Sequence, residues 1–140
     1  MIILDTNVVS AVMRRNADQT VVAWLDCQPL ESFWITTINV FEIRFGLELF
    51  PDSRRRRELE AAFSRMLEED FQHRILSFDQ SAAKEAAILA AKRRSAGQPV
   101  EFRDTQIAGI AIAREAALAT GNTRHFHDLP IKLIDPWAEK

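Results

Sequence analysis

Short apolar segments alternate along the chain with longer segments in which apolar residues recur every three or four positions. The short segments predict strands and the longer ones predict helices. The predicted strands are Ile2–Leu4, Phe33–Thr36, Ile75–Phe78, Ala117–Thr120 and Lys132–Ile134. Five predicted helices have definite ranges, namely Thr6–Arg15, Gln19–Gln28, Ile38–Leu49, Asp79–Ala96 and Phe102–Ala116. Another amphipathic helix is predicted through Leu59, Phe63, Met66 and Leu67. Thr37 is the expected N-cap of Ile38–Leu49, and Gly97-Gln98-Pro99 closes Asp79–Ala96.

This alternation predicts an α/β fold in which a mostly parallel sheet of about five strands carries helices on both faces. The 140 residues are enough for one domain, 1–140. In open sheets of this kind, ligands bind beyond the carboxyl ends of the strands. Polar residues that directly follow the strands are therefore the first candidates for a functional site.

The overall composition excludes some classes of protein. Hydrophobic residues make up 47% and charged residues 27%, and 18 basic against 20 acidic side chains give a net charge of −2. These values exclude a histone-like polycation and a disordered acidic chain, but not nucleic-acid binding, because net charge does not locate the charges. With no apolar segment of signal-peptide or bilayer length, we expect a cytoplasmic protein.

The single cysteine, Cys27, lies in a helical apolar pattern. It is predicted to be a buried free thiol, and alone it cannot form a cysteine-based zinc site.

Three acidic residues stand at positions where a functional role competes with a structural one. Asp5 follows the first strand and is also a good N-cap. Glu42 lies in a helix with apolar neighbours, where a buried carboxylate needs an arginine or a metal as partner. Asp104 begins a very apolar helix, where an acid also interacts favourably with the helix dipole.

The predicted sheet brings these three carboxylates to the same edge. Like charges held close together raise one another's pKa unless a cation compensates them. Oxygen-only ligands select Mg²⁺ or Mn²⁺ over zinc. A metal held in this way polarises a phosphodiester and lowers the pKa of a bound water molecule. The residues therefore favour a metal-dependent hydrolase.

Four motifs, in this order, make the chain resemble the PIN-domain nucleases. They are Met-Ile-Ile-Leu-Asp-Thr-Asn at 1–7, Glu-Ile-Arg-Phe-Gly at 42–46, Asp-Thr-Gln-Ile-Ala at 104–108, and Thr-Gly-Asn-Thr-Arg-His-Phe at 120–126. The resemblance is greatest to the VapC/FitB-like toxins of bacterial toxin–antitoxin pairs, and it extends to the closing Asp135-Pro-Trp.

The resemblance implies an endoribonuclease that depends on Mg²⁺ or Mn²⁺, with Asp5, Glu42 and Asp104 as metal ligands and catalytic acids. Asn122 stands where many members have a fourth acid, and we include it among the catalytic residues. Asp128 is either a substitute for that acid or an exposed turn residue. Supporting roles in orienting water or ligands are expected for three further residues, namely Thr6, Asn7 and Thr120.

The resemblance also implies two protein partners. One is an antitoxin that blocks the acidic pocket, and the other is a second copy of the chain. The homodimer interface is expected on the third and fourth helices, around Phe45, Leu49, Phe50 and Phe63.

The remaining candidates concern RNA binding and zinc. RNA contacts are expected from Arg44, Arg124 and His125. The basic runs 54–57 and 92–94 are candidates for phosphate contact, although each equally fits an acidic partner or a solvated face.

His125 and His127 do not predict zinc, because their spacing directs them apart. Asp79 is interpreted as an N-cap. Trp24, Trp34 and Trp137 are interpreted as core or interface residues.

Two other functions compete with hydrolysis. The absent fourth acid is also typical of a PIN-like scaffold that binds RNA or protein without cutting it. A phospho-aspartyl mechanism at Asp5 is disfavoured, because Asn7 occupies the place of the second aspartate that such phosphatases use. No lysine stands at a later strand end, where receiver-type proteins need one.

Overall fold

The computed structural model describes residues 1–99 and 101–138 and contains a fully parallel five-stranded sheet. The strands are β1 (Ile2–Leu4), β2 (Phe33–Thr36), β3 (Ile75–Leu76), β4 (Ala117–Ala119) and β5 (Leu133–Ile134). Their order across the sheet is β3-β2-β1-β4-β5. Because β1 lies at the centre, the polar residues that follow it are surrounded by the ends of β2 and β4.

Six α-helices cover the sheet, and the predicted elements are all present, with ends shifted by at most two residues where a range was predicted. The helices are α1 (Thr6–Met13), α2 (Gln19–Asp26), α3 (Thr37–Glu48), α4 (Arg54–Arg65), α5 (Gln80–Ser95) and α6 (Phe102–Arg114). Short 3₁₀ turns occupy Leu30–Ser32 and Thr123–His125, and a π-helical turn at Met66–Asp70 extends α4.

The caps of α3 and α5 show where local chemistry sets the helix boundaries. Thr36, not the predicted Thr37, is the N-cap of α3, and its hydroxyl accepts a hydrogen bond from the Asn39 N–H. The prediction was one residue late because β2 runs directly into α3 without a loop. Asp79 caps α5 as predicted, and Gly97 follows the helix with a positive φ of 71°.

The core consists of two layers, one on each side of the sheet. Neighbouring residues of a strand point to opposite faces, so Leu4 packs with α1 to α4 whereas Ile3 packs with α5 and α6. The same division separates Ala119 from Leu118 in β4. Nearly continuous apolar strands are expected for a parallel sheet that is buried on both faces.

Two predictions about burial are wrong. Cys27 is exposed, because it caps the C-terminus of α2 just after the helix leaves the core. Phe63 is fully buried rather than available for a dimer interface, because the amphipathic α4 turns this residue toward the core beneath it. Among residues 1–99 and 101–138, no helix combines the length and the apolar character needed to cross a bilayer.

Helices α5 and α6 approach closely at Gly109. A Cβ atom at this position would lie 2.5 Å from the Ala82 carbonyl oxygen and 2.7 Å from the Ala86 Cβ. Both neighbours belong to the body of α5, so neither can move without shifting the helix. Glycine here lets α6 pack directly against α5, and α6 carries Asp104 in its first turn.

We expect Gly109→Ala to lower the free energy of unfolding by about 1–3 kcal/mol, because the added methyl overpacks the contact between α5 and α6. Gly46→Ala is the matched control, since a Cβ at Gly46 meets nothing within 4 Å. That control should be neutral or gain up to about 1 kcal/mol from helix propensity. Urea unfolding of both variants measures the difference. Equal effects of the two substitutions would contradict the packing argument.

Candidate active site

The register of the strands brings Asp5, Thr36 and Thr120 to one edge of the sheet. Leu4 of β1 pairs with Ala119 of β4, and the Asp5 N–H donates to the Ala119 carbonyl at 2.9 Å. On the other side, Ile3 pairs with Trp34, which brings the end of β2 beside the end of β1. The last residue of β2 and the residues that follow β1 and β4 therefore lie at the same carboxyl edge.

Asp5 is buried at this edge, with only 4% of its surface exposed. Its Oδ1 accepts hydrogen bonds from the Thr6 N–H at 2.9 Å and the Asn39 amide at 3.1 Å. Its Oδ2 accepts one from the Thr120 hydroxyl at 2.8 Å and a longer one from the Asn7 amide at 3.4 Å. Burial raises the pKa of Asp5, and the Asp104 charge raises it further, whereas the bonds from Thr120, Thr6 and Asn39 lower it. Asp5 is therefore the N-cap of α1, and its functional role stays a prediction.

Asn39 is a residue of this site that sequence reasoning missed. It is fully buried in the first turn of α3. Its carbonyl oxygen accepts from the Thr36 hydroxyl at 2.6 Å, which directs its amide toward Asp5 and the Thr6 hydroxyl. A signal was available, because an asparagine three residues after a threonine at the end of a strand fits a capping arrangement. That pattern explains the cap, but it does not reveal the contact with Asp5.

Glu42 projects from α3 toward the start of α1. Its Oε1 accepts a hydrogen bond from the Thr6 hydroxyl at 2.8 Å, and its Oε2 lies 3.6 Å from the Arg103 Nε. Burial raises the pKa of Glu42, the Thr6 bond lowers it, and repulsion from Asp5 and Asp104 adds to the rise. An arginine partner is what Glu42 needs if its role is structural, and Arg103, one residue before Asp104, partly provides it. Sequence reasoning missed this residue.

Asp104 lies in the first turn of α6 and contacts a histidine from the segment after β4. Its Oδ2 lies 2.7 Å from the His125 Nδ1. This contact places His125, predicted as an RNA contact, against one of the three acids. Its role in RNA binding stays a prediction.

The three acids are within electrostatic reach of one another, but each is oriented by its own partners. Asp104 raises the pKa of both Asp5 and Glu42. Within residues 1–99 and 101–138, no three His, Cys, Asp or Glu side chains lie close enough to form a preassembled metal site. As a donor set, three carboxylates offer the hard oxygen ligands that Mg²⁺ and Mn²⁺ prefer, so the residues fit such an ion in chemistry.

The segment after β4 connects the site through Thr120 and Asn7. The fully buried Thr120 hydroxyl donates to Asp5 and accepts from the Asn7 amide at 3.3 Å and the Asn122 N–H at 3.0 Å. The Asn7 carbonyl oxygen accepts from the Gly121 N–H at 2.9 Å. Asn122 itself is exposed, and this hydrogen bond comes from its backbone. The hydrogen bonds around Asp5 and Glu42 thus include the side chains of Thr6, Asn7 and Thr120, whereas Asn122 joins them through its backbone.

Asp128 and Arg93 form an ion pair beside the segment after β4. Asp128 is an exposed turn residue, which is the second of its two predicted alternatives, and not a fourth acid, because its carboxylate forms a two-point ion pair with Arg93 at 2.8 and 3.0 Å. The guanidinium lowers the pKa of Asp128. Arg93 is also not a phosphate contact, since helical periodicity turns it inward from the run 92–94 and its side chain is only 7% exposed. Arg93 also donates to the His125 carbonyl oxygen at 2.7 Å. The pair therefore holds the backbone of the residue that contacts Asp104.

The other predicted RNA contacts lie in different places. Arg124 lines a cavity of about 470 Å³ together with Asp104, His125 and His127. The Arg44 guanidinium instead lies over the Phe63 ring, 4.9 Å from its centroid. Both RNA-binding assignments stay predictions.

The three tryptophans are structural in the contacts they make. Trp24 is buried in the core, Trp34 packs against the α5–α6 layer, and Trp137 donates to Asp18 at 3.0 Å. The ring of Trp137 also lies over Gly121, where a Cβ would come within 2.8 Å of it. This packing holds the loop after β4 close to the end of β1.

The chain matches a known protein family over most of its length. The family model of the PIN domain matches residues 2–132. The chain belongs to the PIN domain family.

Three relatives cover nearly the whole chain. It is 41% identical to the plasmid stability protein StbB of Pseudomonas syringae pv. tomato, covering 98% of this chain and 99% of the relative. It is 34% identical to the VapC ribonuclease Y4jK of Sinorhizobium fredii, covering 98% of each. It is 31% identical to the toxin FitB of Neisseria gonorrhoeae, covering 98% of this chain and 99% of the relative. The solved structure of FitAB bound to an IR36 DNA fragment superimposes with a TM-score of 0.90 at 31% identity, covering 100% of this chain and 98% of that one.

We expect Glu42→Gln to unfold at a higher urea concentration than the wild type at pH 7. Because the folded-state pKa of Glu42 is raised, the folded protein binds the proton more readily, and stability falls as pH rises through the window between the unfolded and folded pKa values. The gain should therefore disappear below about pH 4, where the carboxyl is protonated in both states.

Glu48→Gln is the matched control for this prediction. Glu48 lies on the same helix but is exposed and pairs with Arg56 at 2.8 Å. Its substitution should change the free energy of unfolding by less than about 1 kcal/mol and should not stabilise the protein. A Glu42→Gln protein that is less stable than the wild type at pH 7 would contradict the assigned electrostatics.

Proposed function

We propose that this protein is a divalent-metal-dependent endoribonuclease that acts as the toxin of a toxin–antitoxin pair. The observation that carries the proposal is the burial of Asp5 beside Glu42 and Asp104 at the carboxyl edge of the sheet. Holding like charges together in a partly buried site costs stability, and such sites are typically functional. The family supports a nuclease, and the relatives named VapC ribonuclease and toxin FitB support the particular activity.

Asp5, Glu42 and Asp104 are the residues that would hold Mg²⁺ or Mn²⁺, which supplies Lewis acidity toward a phosphodiester and a bound water of lowered pKa. Asp5 is the fixed member, because donors from three segments of the chain contact both of its oxygens. Glu42 and Asp104 are less constrained, since Glu42 lies 3.6 Å from the Arg103 guanidinium and Asp104 lies 2.7 Å from the His125 ring.

The surrounding polar residues orient the acids. The Thr6 hydroxyl directs Glu42, and Asn7 and Thr120 hold Asp5 against the segment after β4. Asn122 is exposed, its backbone contacts Thr120, and its side chain supplies a neutral amide for a substrate oxygen or a water molecule. Arg103 and Arg124 offer positive charge to the phosphate beside the acids.

A binding module without cleavage is the second candidate function. The contacts of Glu42 with Arg103 and of Asp104 with His125 favour it, since they give both acids a partner within the chain. A phospho-aspartyl mechanism has less support, because both oxygens of Asp5 are already occupied by hydrogen bonds in a buried position.

We expect the purified, inhibitor-free protein to cleave RNA in Mg²⁺ or Mn²⁺ and to lose this activity in EDTA. Asp5→Asn, Glu42→Gln and Asp104→Asn should each lower kcat/KM by about 100-fold or more, the scale seen when one preorganised electrostatic group is removed. Gel assays on total RNA measure the rates. Sequencing of 5′ ends after induction in cells identifies the substrate and the cleavage position.

Asp52→Asn is the control for these variants, because Asp52 is an exposed acid that pairs with Arg57 on the surface. It should retain the full cleavage rate. Cleavage that survives both EDTA and Asp5→Asn would overturn the proposal and identify the activity as contamination. RNA binding by all forms without turnover would establish the second candidate function.

Two partners complete the proposal. An antitoxin is expected, because the toxin FitB and the FitAB assembly are close relatives of this chain. We propose that it blocks the acidic pocket.

A second copy of the chain is expected on the outer face of α3, where Phe41 and Leu49 are 56% and 71% exposed. The rings of Phe41 and Phe45 are stacked there, with centroids 5.9 Å apart. An apolar stripe of this kind is typical of a protein interface.

We expect the protein to sediment at micromolar concentration with twice the mass of the chain, and Phe45→Glu/Leu49→Glu to sediment as a monomer. Burying two carboxylates in the apolar stripe would cost more free energy than the dimer contact provides. Leu30→Glu is the control, since Leu30 is also exposed but lies in the 3₁₀ turn before β2. A wild-type monomer, or a double variant that stays dimeric, would contradict this interface.

A further inference from the structure

A basic cleft of about 690 Å³ lies between the end of α1 and helix α4. Four arginines line it, namely Arg15, Arg54, Arg55 and Arg65. The carboxylate of Glu58 lies between two of them, 2.9 Å from the Arg15 guanidinium and 3.2 Å from that of Arg54. One carboxylate against four guanidinium groups leaves the cleft strongly positive. The structure therefore divides the arginine run 54–57 into residues of different character.

The other two arginines of the run point away from the cleft. Arg56 is held by Glu48 and Glu60 at 2.8 and 2.6 Å, and Arg57 pairs with Asp52 at 3.2 Å. This division follows from helix geometry, because residues in one turn of α4 point in different directions. Arg54 and Arg55 thus differ from Arg57 in surroundings, although all three are exposed side chains of the same type.

The basic cleft continues toward the acidic site. A neighbouring groove of about 610 Å³ shares Met13, Arg55 and Leu59 with the cleft and extends to Thr6 and Glu42. Phe50 also lines this groove, and the Arg55 guanidinium lies over its ring at 6.0 Å. The groove therefore connects the Glu42 carboxylate, past an aromatic ring, to a group of arginines.

We propose that the basic cleft binds the phosphate backbone of single-stranded RNA at a distance from the cleaved bond, and this rests on the proposed function. The acidic site repels phosphates, so an RNA chain that reaches it needs attractive charge elsewhere along its path. Arginine forks match phosphate oxygens, and a basic groove with an aromatic ring is the usual combination for single-stranded nucleic acid. Its continuity with the acidic site favours RNA over an acidic protein as the occupant.

The test compares Arg54→Gln/Arg55→Gln with Arg57→Gln as matched control. Binding of a labelled single-stranded RNA of about 16 nucleotides is measured by fluorescence anisotropy in EDTA, so that no cleavage occurs. Each lost phosphate contact should lower the salt slope by about 0.7 and weaken binding about fivefold at 0.1 M salt, hence about 25-fold for the double variant. Arg57→Gln should bind like the wild type. Folding is not threatened, because arginines at the N-terminus of a helix oppose its dipole.

A kinetic measurement separates the cleft from the chemistry. With metal present, the double variant should raise KM for the long RNA and leave kcat unchanged. Equal binding by the wild type, the double variant and Arg57→Gln would overturn the proposal, as would a loss confined to kcat. Loss of binding to a poly-glutamate peptide with RNA binding intact would also overturn it, by assigning the cleft to an acidic protein. If the wild type binds RNA through the cleft but never cleaves, the inference stands and the proposed nuclease fails.

Discussion

The hydrogen bonding of the buried Asp5 carboxylate is the interaction on which the site depends. Its donors come from the start of α1, from Asn39 in α3 and from Thr120 after β4. These segments meet only because β1 lies between β2 and β4 in a parallel sheet. A carboxylate in this position needs such donors, since an unpaired buried charge is strongly destabilising. The same bonds that make the charge tolerable also fix the geometry of the site.

Around this fixed point, the structure separates opposite charges in space. The acids collect at the carboxyl edge of the sheet, where Arg103 contacts Glu42 and His125 contacts Asp104. The arginines of α4 face a cleft farther along the surface. The net charge of −2 conceals this separation. Arg93 and Asp128 form a third, partly buried group that holds the segment after β4.

The fold and the positions of the three acids in it could be predicted because both depend on local patterns. The alternation of short apolar segments with helical ones predicts β1 to β5, and Asp5 and Asp104 are placed by the element beside them. Asn39, Arg103 and the pairing of Arg93 with Asp128 could not be predicted in this way. Each depends on a partner far along the chain, 34 residues from Asn39 to Asp5 and 35 from Arg93 to Asp128. The prediction of Phe63 as an interface residue was wrong for a related reason. Amphipathic periodicity defines an apolar face of a helix but does not determine whether the core or a partner covers it.

The sequence by itself determined the parallel α/β architecture and the presence of acids after the strands, because hydrophobic periodicity and capping act within a few residues. The resemblance in its motifs identified the PIN domain family, which comparison confirmed. Only the tertiary structure decided which polar groups contact Asp5, which arginine of each basic run faces solvent, and where the grooves lead. The physical reason is that hydrogen bonds and ion pairs form between atoms about 3 Å apart, and distances on that scale between remote segments exist only once the sheet and its two helix layers have packed.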